Sequence, residues 1–200
     1  MKKTVLLTAL LALPVAGWAE GLSYNHVQVD WIANSDLDAN VPGTGSGETD
    51  GDGFGLSALL SVSEVFYLVG NYQDTDYDDG GLAIEEISLG VGAHNNTYTG
   101  AIDVFGNITF ENIDVDGAGD DNGFGFEIGA RTVLSGALDG FISYDYDDVG
   151  DLEGNFFRAG VSWAFNPQWS VAGQYSTGEY EGDGFDLDRD ELSIGLRYHL

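Results

Sequence analysis

The stretch Ile102-Asp103-Val104-Phe105-Gly106-Asn107-Ile108-Thr109-Phe110 decides how this chain reads. Ile102, Val104, Gly106, Ile108 and Phe110 fill one parity without a charge, while Asp103, Asn107 and Thr109 fall on the other. Successive side chains of a strand point to opposite sides, so this alternation predicts an extended segment with two unlike faces. It recurs in Val27/Val29/Trp31, Phe54/Leu56/Ala58/Leu60/Val62 and Ile87/Leu89/Val91/Ala93. Further on it returns in Phe124/Phe126/Ile128/Ala130, Ile142/Tyr144/Tyr146 and Phe157/Ala159/Val161/Trp163/Phe165. Trp169/Val171/Gly173/Tyr175 and Leu192/Ile194/Leu196/Tyr198/Leu200 close the series. Between Val65 and Gln73 both parities are apolar, and Phe66, Leu68, Gly70 and Tyr72 are assigned outward. The runs predict ten strands, with eight as the fallback, each near the about 9–11 residues that cross a bilayer when tilted.

The apolar parity carries no Asp, Glu, Lys or Arg. The opposite parity holds Asp30, Glu86, Asp103, Glu127, Arg131, Asp139, Arg158 and Arg197, which are expected to line a lumen as a network of charges. Short connections are expected near Ser63-Glu64, Asn95-Asn96, Ser135-Gly136 and Asn166-Pro167, and long Gly/Asp-rich loops over 33–52, 74–81, 111–122, 147–154 and 178–190. Aromatics end the apolar runs in two expected girdles. One is Tyr98, Trp163, Phe165, Trp169 and Tyr198; the other is Trp31, Phe54, Tyr72, Phe110, Phe124, Tyr146, Phe157 and Tyr175. A soluble sandwich would place the apolar face inward instead. Loop alternation, girdles and a leader together favour an all-β, antiparallel, up-and-down transmembrane barrel.

The leader is residues 1–19: Lys2 and Lys3, an apolar run from Val5 to Leu13, and the small-residue site Ala16-Gly17-Trp18-Ala19. It reads as a secretory signal peptide, leaving 20–200 as one barrel domain. The address implied is the outer membrane of a Gram-negative bacterium, with both termini in the periplasm. The chain has a formal charge of −28, more negative once Lys2 and Lys3 leave, which excludes nucleic acid as a partner. The absence of cysteine excludes disulfides and a thiol nucleophile, and 12% aromatic content is unlike a disordered acidic tail.

The last strand, Leu192 to Leu200, resembles the C-terminal signal read by the barrel-assembly machinery, although such signals usually end in Phe. Leu22-Ser23-Tyr24-Asn25-His26-Val27, Gly90-Val91-Gly92, Phe165-Asn166-Pro167-Gln168-Trp169 and the acidic segments resemble a family of small outer-membrane barrels. Its members are porin-like and were once proposed as activators of a plant innate immune receptor. The resemblance implies ten strands and an outer-membrane address, and supplies no catalytic residues.

No Gly-x-Ser-x-Gly or His-Glu-x-x-His occurs, and the three histidines lie away from the acidic segments, so no enzyme is expected. His26 and His199 come together if the first and last strands pair, as a transition-metal pair or as plain polar rim residues. Asp103 and Arg131 fall near opposite register and are expected to bridge. Asp74, Asp76, Asp78 and Glu85 match the first, third, fifth and twelfth positions of a calcium loop, with Asp79 where a glycine is wanted. Loosely held calcium or magnesium is the only ligand suggested, and no cofactor. Expected partners are outer-membrane lipid, lipopolysaccharide and the assembly machinery, for a monomer. Two functions stand: a structural or surface-interaction barrel with long acidic extracellular loops, or a small cation-preferring porin.

Overall fold

The computed structural model describes residues 22–41, 45–78, 81–96, 102–116, 119–182 and 185–200. The leader and Tyr98 lie outside these residues. Ten strands follow in order: β1 (Asn25–Val41), β2 (Gly45–Ser61), β3 (Phe66–Tyr77), β4 (Ala83–Asn96), β5 (Ile102–Val115), β6 (Gly119–Ser135), β7 (Leu138–Val149), β8 (Leu152–Ala164), β9 (Trp169–Gly182) and β10 (Phe185–His199). Each pairs antiparallel with its sequence neighbour, and β1 pairs with β10, so the sheet closes and leaves no strand edge. No helix among the described residues is long and apolar enough to cross a membrane; this chain crosses with strands.

A continuous apolar belt surrounds the barrel. Trp31 is 59% exposed, Leu89 63% and Ile128 62%, with Ile108, Ile142, Val161 and Ile194 beside them. A soluble monomer rarely exposes an apolar patch beyond a few hundred Å². A closed belt of this kind belongs to a membrane barrel, whose solvent outside is hydrocarbon. Aromatic pairs mark its margins: Phe54 with Tyr72 and Phe110 with Phe124 on one side, Trp163 with Phe165 and Trp169 with Tyr198 on the other.

The start of β1 at Asn25 and the end of β10 at His199 reach the rim that carries the turns after β2, β6 and β8. The turn after β8 is fixed by Asn166, whose Oδ1 accepts hydrogen bonds from the backbone N–H of Gln168 and Trp169 (2.9 and 3.0 Å). Gly136, at φ +47°, makes the tight turn after β6.

The opposite rim departs from the sequence reading. The segments expected as long acidic loops are mostly strand: β1 runs to Val41 and β2 begins at Gly45, while β7 and β8 are separated only by Gly150 and Asp151. The ladder continues through these Gly/Asp-rich stretches, but the polarity of its two faces is exchanged. On β10 the outward residues change from Leu192, Ile194 and Leu196 to Asp186, Asp188 and Asp190, and the inward ones from Glu191 and Ser193 to Leu187 and Phe185. On β4 the step lies between Ile87 and Glu85 outside and between Glu86 and Ile84 inside. β1 makes it with a bulge at Ala33: the register shifts after Ile32, so Ser35 and Leu37 turn in while Asn34 and Asp38 turn out. The result is a collar, acidic outside and apolar inside, standing on the membrane barrel.

Candidate functional site

The lumen is divided into three layers. At the terminal rim Tyr24, Tyr67, Val69 and Phe105 are buried together, with Leu59 against them. Tyr24 lies just before β1 and stacks on His94, ring centroids 4.1 Å apart, and the Arg131 guanidinium sits 5.0 Å over its ring. Tyr67 donates its hydroxyl hydrogen to Asn107 Oδ1. It reaches there because residue 92 is glycine: a Cβ on Gly92 would stand 2.2 Å from the Tyr67 ring. Ser23-Tyr24 and Gly92, from two of the segments that carry the resemblance, thus shape a floor.

The middle layer is polar and surrounds a cavity of about 200 Å³. Arg189 on β10 reaches across to Glu86 on β4 with three hydrogen bonds of 3.0 Å, and bonds Glu191 at 2.8 Å. Tyr180 donates to Glu86 at 3.2 Å and Gln73 to Glu191 at 2.8 Å, so both carboxylates have second partners. Arg158 pairs with Asp145 at 3.4 Å. Arg197 donates to Gln28, which in turn donates to Asp30, both at 2.7 Å. Asn107 donates to Glu127. Charges withdrawn from water need such partners to offset desolvation.

The third layer lies in the collar. Leu37, Tyr77, Ile84, Ile113, Val149, Phe156 and Tyr180 form one buried apolar cluster, with Leu82, Val115, Leu152 and Leu187 packed on it. The Tyr77 hydroxyl is satisfied by Ser35 at 3.0 Å.

All eight residues expected in the lumen face inward, but their pairing differs from the sequence reading. Asp103 and Arg131 are register partners, yet Asp103 turns to His94 (3.1 Å) and Arg131 to Asp139 (3.7 Å) and the Ser23 carbonyl. Sequence reasoning left out Arg189, Glu191, Glu111, Asp145 and Asp147, which also line the cavity, because they sat in or beside presumed loops. The signal was present: continuing the β10 alternation past Leu192 puts 191 and 189 inside.

His26 and His199 are register partners, with ring centroids 6.1 Å apart; His199 shares a hydrogen bond with Ser170. Asp74 and Asp76 belong to β3 and Glu85 to β4, all on the outside of the collar, with the Tyr72 hydroxyl 3.5 Å from Asp74 and 3.2 Å from Glu85. Asp74 and Glu85 are register partners, and Asp76 follows two residues along the same face of β3, while Asp78 lies just past its end. Among the described residues no three His, Cys, Asp or Glu side chains gather to hold a metal.

No protein-family model matches the sequence, and no curated protein matches it. Among solved structures the chain is similar to Neisserial surface protein A at 16% identity, covering 90% of this chain and 100% of that one, with TM-score 0.43. It is also similar to the KdgM porin (10%, 88% and 99%, 0.45) and to the translocator domain of the autotransporter NalP from Neisseria meningitidis (11%, 90% and 90%, 0.49). At these identities the likeness is one of barrel form and does not reach to what the chain binds or conducts.

Proposed function

We propose that this protein is a monomeric, non-catalytic outer-membrane barrel that does not conduct, and that it presents its acidic collar outside the cell. The observation carrying this reading is a layer of packed apolar side chains inside the barrel toward each end. The Tyr24/Tyr67/Phe105 floor and the Phe156/Tyr180/Ile113 layer each pack apolar side chains into the interior, and the Arg189–Glu86–Glu191 group ties opposite walls between them. Ten strands lie near the narrow end of barrel sizes, where interiors are filled by side chains.

A small cation-preferring pore is the rival reading, favoured by Asp30, Glu111, Glu127 and Asp147 around the cavity. Planar-bilayer recording of the refolded protein separates the two. Silence is expected; steady, cation-selective steps would establish the pore.

The collar's outer face gives the surface role its chemistry. Its carboxylates stand in rows across the strands: Asp148, Glu153, Glu181 and Asp186 are successive register partners, as are Glu179, Asp188, Asp38 and Glu48. Like charges directly opposite on a sheet repel. Every arginine among the described residues points inward, so none relieves these rows. Calcium and magnesium favour oxygen ligands, and loose divalent bridging within the rows and to lipopolysaccharide phosphates is the partner chemistry proposed here. The likeness of its short motifs to the plant-receptor-associated barrels makes a host-facing role one candidate use of the collar.

A further inference from the structure

Among the described residues the collar's apolar layer does not fill its own mouth. Above Tyr77, Phe156 and Tyr180 an apolar cup of about 690 Å³ remains, walled chiefly by Leu37, Ile84, Ile113, Val115, Leu152 and Leu187. It stays open because Ala39, Gly47 and Gly119 complete the wall; a Cβ built on Gly47 or Gly119 meets nothing within 4 Å. Cavities of roughly 300–1,000 Å³, mostly apolar with a few polar groups and set in barrel mouths, are the usual form of small-molecule sites. The charged groups at this mouth are of one sign. Asp121 and Asp151 line it with Glu48 and the uncharged Thr49, Asp186 and Glu181 stand just outside, and among the described residues no lining side chain is basic. An anionic headgroup would be repelled here, and a neutral one would gain nothing from the rim.

We propose that the cup is a binding site for a single-chain cationic amphiphile, its hydrocarbon tail inside the apolar wall and its ammonium group between Asp121 and Asp151. The site rests on the reading of the lumen as closed, since an open passage would flood the cup with water. Tail burial should raise affinity by about fourfold for each added methylene until the cup is full. The carboxylates set the sign of the headgroup.

The test uses the full barrel in nanodiscs with labelled isoleucine methyls, titrated with decyltrimethylammonium and, separately, with decyl sulfate. Ile84 and Ile113 should show saturable shifts with the cation, while Ile194 and Ile128 in the belt should drift without saturating. Affinity for decyl sulfate should be at least tenfold weaker. Gly47→Leu, which fills the cup, should abolish saturation. The pair Asp121→Asn and Asp151→Asn should narrow the difference between the two probes while leaving the chain-length dependence. Three results would overturn the proposal: no saturable shift at Ile84 and Ile113, equal affinity for both probes, or binding unchanged by Gly47→Leu when that variant folds. If Gly47→Leu does not fold, the aspartate pair decides alone, and an unchanged preference for the cation counts against the site. A barrel silent in the bilayer but showing no shifts loses the site and keeps the closed-lumen reading; one that conducts loses that reading first.

Discussion

Arg189 shows how a single position organises the interior. It bonds Glu86 and Glu191 from opposite sides of the lumen, and its guanidinium is flat enough to meet Glu86 with two parallel bonds. Removing one member of a buried ion group leaves the others unpaired, which costs about 3–5 kcal/mol. Arg189→Met should therefore lower the midpoint of urea unfolding in lipid by an amount in that range. Adding Glu86→Gln and Glu191→Gln to the same chain should restore part of the loss, because no carboxylate is then stranded. A single variant as stable as the parent would show that the group bears no strain across the barrel. Lysine would not serve at this position, since a point charge on a flexible stem cannot make the paired contact.

At the scale of one strand, β4 carries both the membrane face and the lumen in adjacent residues. Leu89 is 63% exposed on the belt, whereas Ser88 is buried beside the cavity and accepts a hydrogen bond from Asn71 at 2.9 Å. An arginine on the lipid face near the midplane costs about 2–4 kcal/mol, and the lumen tolerates it far better. Leu89→Arg should thus reduce the yield of folded, heat-modifiable barrel much more than Ser88→Arg, scored on unboiled SDS gels. A reversed order would invert the faces assigned to β4. The strand also shows what was legible in the sequence. Its outward Ile87, Leu89, Val91 and Ala93 are read directly from period two, as are the belts of β5 and β10. The collar was not legible in the same way. Gly, Asp and Asn are poor strand formers by composition, so 33–52 or 178–190 read as loop, although Leu37, Leu187 and Phe185 keep the alternation. What conceals it is the exchange of faces, together with the bulge at Ala33, which breaks the parity count on β1. Pairings that depend on rotamers, such as Asp103 turning to His94 and away from its register partner Arg131, leave no mark in a one-dimensional pattern.

For the whole molecule, one closed sheet serves two solvents. Below the step its outside meets hydrocarbon and its inside is polar; above it the outside meets water and the inside is apolar, as in a soluble barrel. The collar is held against the repulsion of its own carboxylate rows, so its stability should respond to cations that bridge them. Millimolar calcium is expected to raise the thermal unfolding temperature clearly more than sodium chloride at matched ionic strength. Neutralising Asp74, Asp76 and Asp78 together should weaken this only in part, since the Glu179–Asp188–Asp38–Glu48 row is untouched; no excess over sodium would remove divalent bridging from the account. The exchange of faces itself is open to direct measurement because the chain has no cysteine. Asp188 and Ile194 lie on the same outward face of β10, one on each side of the step. Asp188→Cys and Ile194→Cys, each reconstituted in lipid vesicles, are treated with a membrane-impermeant maleimide. Rapid labelling of Asp188→Cys and none of Ile194→Cys until detergent and denaturant are added is the expected result. Equal labelling of the two in intact vesicles, or protection of both, would contradict a barrel that leaves the membrane between them.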